Sequence, residues 1–263
     1  MSETRPAQAA TSTAEARRGR LYAGTSGFAY PSWVPRFYAP GRASRKLLSA
    51  YAARLPAVEL NNTFYRRPDP ETVARWRALT PPGFRFCPKA QKSATWRVWR
   101  PDAVQEAMLW LTEAVQPFGE QLGCVLLSTP GTQERDDAAL ARLLDARLLN
   151  GRPVGPPMAL ALQHPSWAAD EVHDLLRLHE VALVATDWDD ADEPDLRRIG
   201  RFIYLRLRRS SYSAADLERW VRRLEPFLAD GLDAFVFFRH DSDGQSALRA
   251  EALLARAREV MGS

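Results

Sequence analysis

The sequence predicts an α/β fold, a single-domain (β/α)8 TIM barrel, and three observations point to it. From Leu21 onward, eight short apolar runs alternate with amphipathic stretches, the pattern of parallel strands joined by crossover helices. That alternation fills about 240 residues, the size of one such barrel. The first run ends in Gly24-Thr25-Ser26-Gly27 rather than G-x-G-x-x-G, which removes the usual sign of a doubly wound dinucleotide-binding sheet.

The expected strands are Leu21–Thr25, Ala57–Asn61, Phe84–Lys89, Gly123–Leu127, Met158–Leu162, Val181–Thr186, Phe202–Leu207 and Ala234–Phe238. Between the first two, Ser44 is expected to cap a helix that puts Leu47, Leu48, Tyr51 and Leu55 on one face. Asp69-Pro70 supplies an N-cap and first-turn proline for the helix 71–79. Gly151–Pro157 reads as a loop entering the fifth strand. Ser213 with Asp216 reads as a capping box for a helix running through Leu224. Residues 244–260 close the chain as a helix. Ahead of the barrel domain (20–263), residues 1–19 are poor in large apolar groups and are expected to be disordered.

The chain has 263 residues, 46% hydrophobic and 26% charged, enough to bury a sizeable core. Its two cysteines, Cys87 and Cys124, have no metal-ligand spacing and read as buried thiols of neighbouring strands in a reducing compartment. No apolar run approaches the ~20 residues of a membrane span and no secretory leader is evident, so a cytoplasmic protein is expected. Of 36 basic residues only Lys46, Lys89 and Lys92 are lysine, and the formal net charge is +4. That balance admits anionic partners without requiring them.

In such a barrel, chemistry sits where strands end and βα loops begin. Period-2 alternation sends Glu59 and Asn61 inward from the second strand, puts Lys89 at the mouth, and lines the interior or rim with Tyr204, Arg206 and Arg208. The fifth, sixth and eighth strands end in Gln163-His164, Asp187-Trp188 and Arg239-His240-Asp241. Charges inside strands are costly unless paired, so Glu59 and Arg206 mark either a functional site or an internal salt bridge. Lys89 suits phosphate or carboxylate binding better than covalent chemistry. The histidines show no metal pattern: His164 and His240 lie at separate strand ends, and His173 and His179 are expected to face solvent. No metal or other cofactor is expected.

The motifs then become recognisable. Gly24-Thr25-Ser26-Gly27-Phe28-x-Tyr30-x-x-Trp33, Arg36-Phe37-Tyr38 and Val58-Glu59-Leu60-Asn61-Asn62-Thr63-Phe64-Tyr65-Arg66 resemble the YecE-like family, domain of unknown function 72. Weaker matches follow at Gly83-Phe84-Arg85-Phe86, Lys89-Ala90, His164-Pro165-Ser166-Trp167, Tyr204-x-Arg206 and Phe237-Phe238, so the resemblance spans residues 21–260. It implies a TIM barrel and names no reaction. Glu59, Asn61, Thr63, Tyr65, Lys89, His164, Asp187 and Arg206 keep the family's residue types. Elsewhere the pattern is rewritten. Ala161 and Gln163 replace an acid and an arginine, Arg208 stands where a histidine is usual, and Ser128 replaces a glutamine. Thr95-Trp96 replaces Thr-His, and Arg239-His240-Asp241 replaces an Asn-Asn-Asp-like end.

The rewriting removes a carboxylate and adds arginines, which favours an anion pocket over a carboxylate pair. The leading expectation is a small phosphorylated or carboxylated ligand, in an enzyme of sugar-phosphate type. Glu59 would be its acid or base, Lys89 and Arg206 the anion clamp, and Asn61 and Asp187 the hydroxyl-orienting groups. Thr63, Tyr65, His164, Arg208 and Arg239 would complete the binding set. A closed, dry mouth over a Glu59–Arg206 pair would count against this reading. Two alternatives stand beside it. One is a nucleic-acid-binding or phosphodiester-processing protein, with arginines on phosphates and rim aromatics under bases. The other is a catalytically silent binding scaffold.

Overall fold

The computed structural model describes residues 17–41, 43–149 and 152–262. Eight parallel strands form the barrel: β1 (Leu21–Ser26), β2 (Ala57–Leu60), β3 (Arg85–Pro88), β4 (Val125–Ser128), β5 (Met158–Ala161), β6 (Ala182–Asp187), β7 (Phe202–Leu207) and β8 (Asp233–Phe238). Their order is β3-β2-β1-β8-β7-β6-β5-β4. The ring closes through parallel bridges Phe86–Leu122 and Lys89–Leu126, with Gly123 N donating to Phe86 O at 2.8 Å and Ala90 N to Leu126 O at 2.8 Å.

Alternation along the strands separates two packed layers. Val58, Leu60, Phe86, Val125, Leu127, Leu160, Leu205 and Val236 face outward into a core shared with the helices. Tyr22, Cys87, Cys124, Leu126, Ala159, Ala182, Tyr204, Phe235 and Phe237 fill the interior. There, large rings from β1, β7 and β8 meet smaller, non-aromatic side chains from β3 to β6. Tyr22 stacks on Phe235 at 5.1 Å and Tyr204 lies 5.4 Å from Phe237. A Cβ on Gly123 would come within 2.9 Å of the Phe235 ring, so a side chain there would expel it. Cys87 and Cys124 are buried free thiols 3.8 Å apart.

The helices are α1 (Leu47–Ala52), α2 (Pro70–Ala78), α3 (Lys92–Arg97), α4 (Val104–Val115), α5 (Asp137–Asp145), α6 (Asp170–Leu178), α7 (Ala214–Ala229) and α8 (Gln245–Met261). Asp69 caps α2 through Thr72 N at 2.7 Å, and Ser213 with Asp216 forms the expected capping box. Ser44 is not a cap. It lies in a 3-10 turn (Ser44–Lys46), and the extended residue before that turn is Ala43, which has no side chain to offer.

The alternation is also uneven. Two helices, α3 and α4, connect β3 to β4, whereas residues 188–201 between β6 and β7 contain none. That segment is held by charge instead, with Glu193 meeting Arg209, Arg219 and Arg223 at 3.3, 2.7 and 3.0 Å. Ahead of β5, Leu148–Leu149 pairs antiparallel with Arg152–Pro153 where a loop was expected.

Most of the expected tail, residues 1–16, lies outside the described residues. Its last residues are anchored: Gly19 N donates to Leu228 O at 2.8 Å, and a Cβ there would strike Leu232 O. His173 and His179 are buried rather than solvent-facing, because both lie on the inner side of the α6 region. No described helix is long and apolar enough to cross a membrane.

Candidate functional site

The centre of the mouth is Glu59. Because Val58 and Leu60 pack outward, its carboxylate must point into the barrel, where it is fully buried. It accepts from Ser26 Oγ at 2.6 Å and Tyr204 OH at 2.8 Å. Arg206 grips it with two bonds, Nε at 3.1 Å and a terminal nitrogen at 3.0 Å, and Arg208 adds another at 2.9 Å. Burial pushes the carboxyl up, but Arg206, Arg208 and the Ser26 hydroxyl outweigh it and hold the group down at about 2. It is therefore ionised at neutral pH. A general acid or base works best with a pKa near the operating pH; this carboxylate is placed as the counter-ion of two arginines.

A third cation stands beside them. Lys89 is half-buried, with Nζ 4.5 Å from the centre of the Phe64 ring. Its pKa is lowered by burial and by Arg206, partly opposed by Glu59. Arg208 is lowered to about 10, chiefly by burial, while for Arg206 burial is outweighed by Glu59, through charge and hydrogen bond, and Tyr204 together, and the group is raised. All three are cationic at neutral pH, so one carboxylate faces three positive charges.

The other expected site residues scatter. Thr63 is buried and structural, its hydroxyl donating to Leu60 O and Lys89 O at 2.7 Å each. Asn61 is half-buried at the start of the turn Asn62–Phe64. Tyr65 is exposed beyond it. His164 caps the turn Pro165–Trp167: its Nδ1 accepts from Ser166 N at 3.2 Å and lies 2.8 Å from Ser166 Oγ, which itself accepts from Arg135 N. This Ser–His contact is a cap and not a nucleophile pair. Arg239 is exposed at the end of β8, and the neighbouring His240 stacks on Tyr30 at 5.2 Å.

Asp187 is not brought to the mouth. On β6, Ala182 and Val184 belong to the interior layer and Leu183 and Ala185 to the outer one. Thr186 is therefore the inward residue, and Asp187 lies outside. It is fully buried there, bonded to Arg209 Nε at 2.9 Å and Tyr212 OH at 3.0 Å. The sequence reading missed Ser26 and Thr186 as mouth residues, which strict alternation on β1 and β6 could have found; Trp188, expected at the end of the sixth strand, does line the mouth cavity.

Space adjoins the charged cluster on one side. A cavity of about 330 Å³ is lined by Ala161, Leu162, Gln163, Val184, Thr186, Trp188 and Arg206. Ser128, in register with Ala161, is buried and its hydroxyl finds no partner among the described residues. The mouth is thus open beside the Glu59–Arg206 pair. Among the described residues, no group of three or more His, Cys, Asp or Glu side chains is placed to hold a metal ion.

Comparison with known proteins agrees with this architecture. The family described as protein of unknown function DUF72 matches residues 22–262. UPF0759 protein YecE of Escherichia coli (strain K12) is 31% identical over 127 residues, covering 48% of this chain and 44% of that protein, so the match spans less than half of that relative. UPF0759 protein YunF of Bacillus subtilis (strain 168) is 24% identical over 260 residues, covering 82% of this chain and 88% of that protein. The crystal structure of a DUF72 family protein from Thermotoga maritima MSB8 superposes with a TM-score of 0.75 at 22% identity, covering 93% of this chain and 100% of that one. A second, from Enterococcus faecalis V583, gives 0.71 at 17% identity, covering 92% and 96%. With the family match running from the first barrel strand to the end of α8, the chain belongs to the DUF72 family.

Proposed function

We propose that the C-terminal mouth of the barrel binds a small phosphorylated or carboxylated molecule. The observation that carries this reading is the charge balance around Glu59, where one carboxylate faces Lys89, Arg206 and Arg208 beside an open cavity. Unbalanced charge in a partly buried site is costly, and an anion lodged between Lys89 and Arg206 would offset it. The unpartnered Ser128 hydroxyl adds a polar group near that space. Glu59 holds the arginines in place, so a sugar-phosphate reaction at this mouth would need another group as its base.

Isothermal titration with inorganic phosphate tests the reading. Saturable binding is expected, weakened about tenfold or more in Lys89→Met through loss of a charge-assisted bond. Equal binding by the two proteins would sink it.

A second reading, single-stranded nucleic acid, is favoured by the exposed rings Tyr65 (83%), Trp96 (51%) and Trp188 (49%) on the connections after β2, β3 and β6. Such rings can stack bases beside a cationic groove. Filter binding with single-stranded DNA and RNA at two salt concentrations checks it, and binding without salt sensitivity would argue against it.

A further inference from the structure

The barrel wall is open between β5 and β6. Their ladder has two register pairs, Ala159–Ala182 and Leu160–Leu183, whereas β6 stays paired with β7 to Asp187–Leu207. The connection after β6 has no helix to cover the gap. Outside it lies a second cavity of about 340 Å³. Leu162, Gln163, Val184 and Thr186 line both this cavity and the mouth cavity, so the two lie side by side at the gap.

The outer cavity alternates apolar and polar groups. Trp167, Leu183 and Leu196 supply apolar faces, and His164, His173 and Asp195 supply polar ones. His173 is 93% buried, and its Nδ1 has no hydrogen-bond partner among the described residues. The nearest carboxylate oxygen, on Asp170, is 3.6 Å away, beyond hydrogen-bond distance. A buried ring nitrogen left unpaired is costly, and the ring that carries it lines this cavity.

We infer that the outer cavity is an extension subsite for the same anionic ligand, and that this ligand is a phosphorylated sugar of two rings. The inference rests on the anion reading of the mouth. The phosphate sits at Lys89 and Arg206, and the chain of the ligand passes between Gln163 and Thr186. The second ring lies outside, its hydroxyls toward His173 and its apolar face toward Trp167. Apolar walls interleaved with hydrogen-bonding groups suit a sugar ring, which carries both kinds of surface.

Titration with inorganic phosphate, glucose 6-phosphate and trehalose 6-phosphate tests this. The two-ring probe is expected to bind at least about fivefold more tightly than glucose 6-phosphate, the gain of a hydrogen bond or two. Ala185→Phe, which lines only the outer cavity, and His173→Ala should each remove that gain and leave phosphate binding intact, which also reports that the variant has folded. Equal affinity for the one-ring and two-ring probes overturns the extension, as does a gain that survives both substitutions. Loss of phosphate binding in the unmodified protein would overturn the mouth reading itself.

Discussion

On one side of the barrel mouth, β1, β2 and β7 send Ser26, Glu59, Tyr204 and Arg206 inward and tie them into a single hydrogen-bonded network. On the other side, β4, β5 and β6 send Ser128, Ala161 and Thr186 inward, and the space they leave becomes the cavity. The first side is filled and fixed, with a carboxylate that has no vacancy for further chemistry. The second is roomy and nearly uncharged. Positive charge is concentrated on the filled side and borders the empty one. The difference teaches that a buried glutamate in a barrel strand can serve the site by holding cations in position.

The comparison breaks most readily at Glu59. Glu59→Ala leaves Arg206 and Arg208 buried without a counter-ion, and should cost about 3–5 kcal/mol in urea denaturation. A loss under about 1 kcal/mol would mean that the network contributes little.

The next effect is acid sensitivity. The folded carboxyl is held at about 2, below its ordinary 4.5, so its contribution is fully present above pH 4.5 and disappears as pH falls toward 2. About 3 kcal/mol should be lost across that window. Stability curves of the natural protein and Glu59→Gln should converge there; parallel curves would contradict the assignment.

Asp187→Asn tests the outer placement. It should cost about 1–3 kcal/mol by weakening the contacts to Arg209 and Tyr212, yet leave phosphate affinity unchanged. A fall in affinity without a loss of stability would return Asp187 to the mouth.

The smallest stability effects belong to the roomy side and to the surplus cation. Ala161→Leu should shift stability by less than about 1 kcal/mol, since it fills open space, while blocking phosphate. Lys89→Met should be neutral within about 0.5 kcal/mol, because no carboxylate among the described residues is bonded to Lys89 Nζ. A large destabilisation by either would mean that the space or the charge is already satisfied.

The filled side was the more legible in the sequence, and the reason is periodicity. Val58 and Leu60 leave no orientation for Glu59 except inward, and Ile203, Leu205 and Leu207 do the same for Tyr204 and Arg206. Those alternating runs also fixed every barrel strand to within a residue or two. The roomy side was harder. Small residues such as Ala161 and Ser128 signal nothing by themselves, and the gap between β5 and β6 is a matter of pairing across the chain. Asp187 was misplaced because a carboxylate at a strand end looks functional on either face; only the parity of Ala182 and Val184 assigns it to the outer one. His173 and His179 were misread because a histidine on an amphipathic helix carries little hydropathic signal. The Pro- and Asp-containing segment 188–201 gave no helical pattern, and its ion pairs with α7 are visible only in three dimensions.

The most direct test of the central claim is a crystal structure of the protein soaked in inorganic phosphate. A phosphate is expected within about 3 Å of Lys89 Nζ and the Arg206 guanidinium, beside Ala161 and Thr186, with the Glu59 contacts unchanged. A mouth that contains only water at saturating phosphate, or a phosphate bound elsewhere, would contradict it.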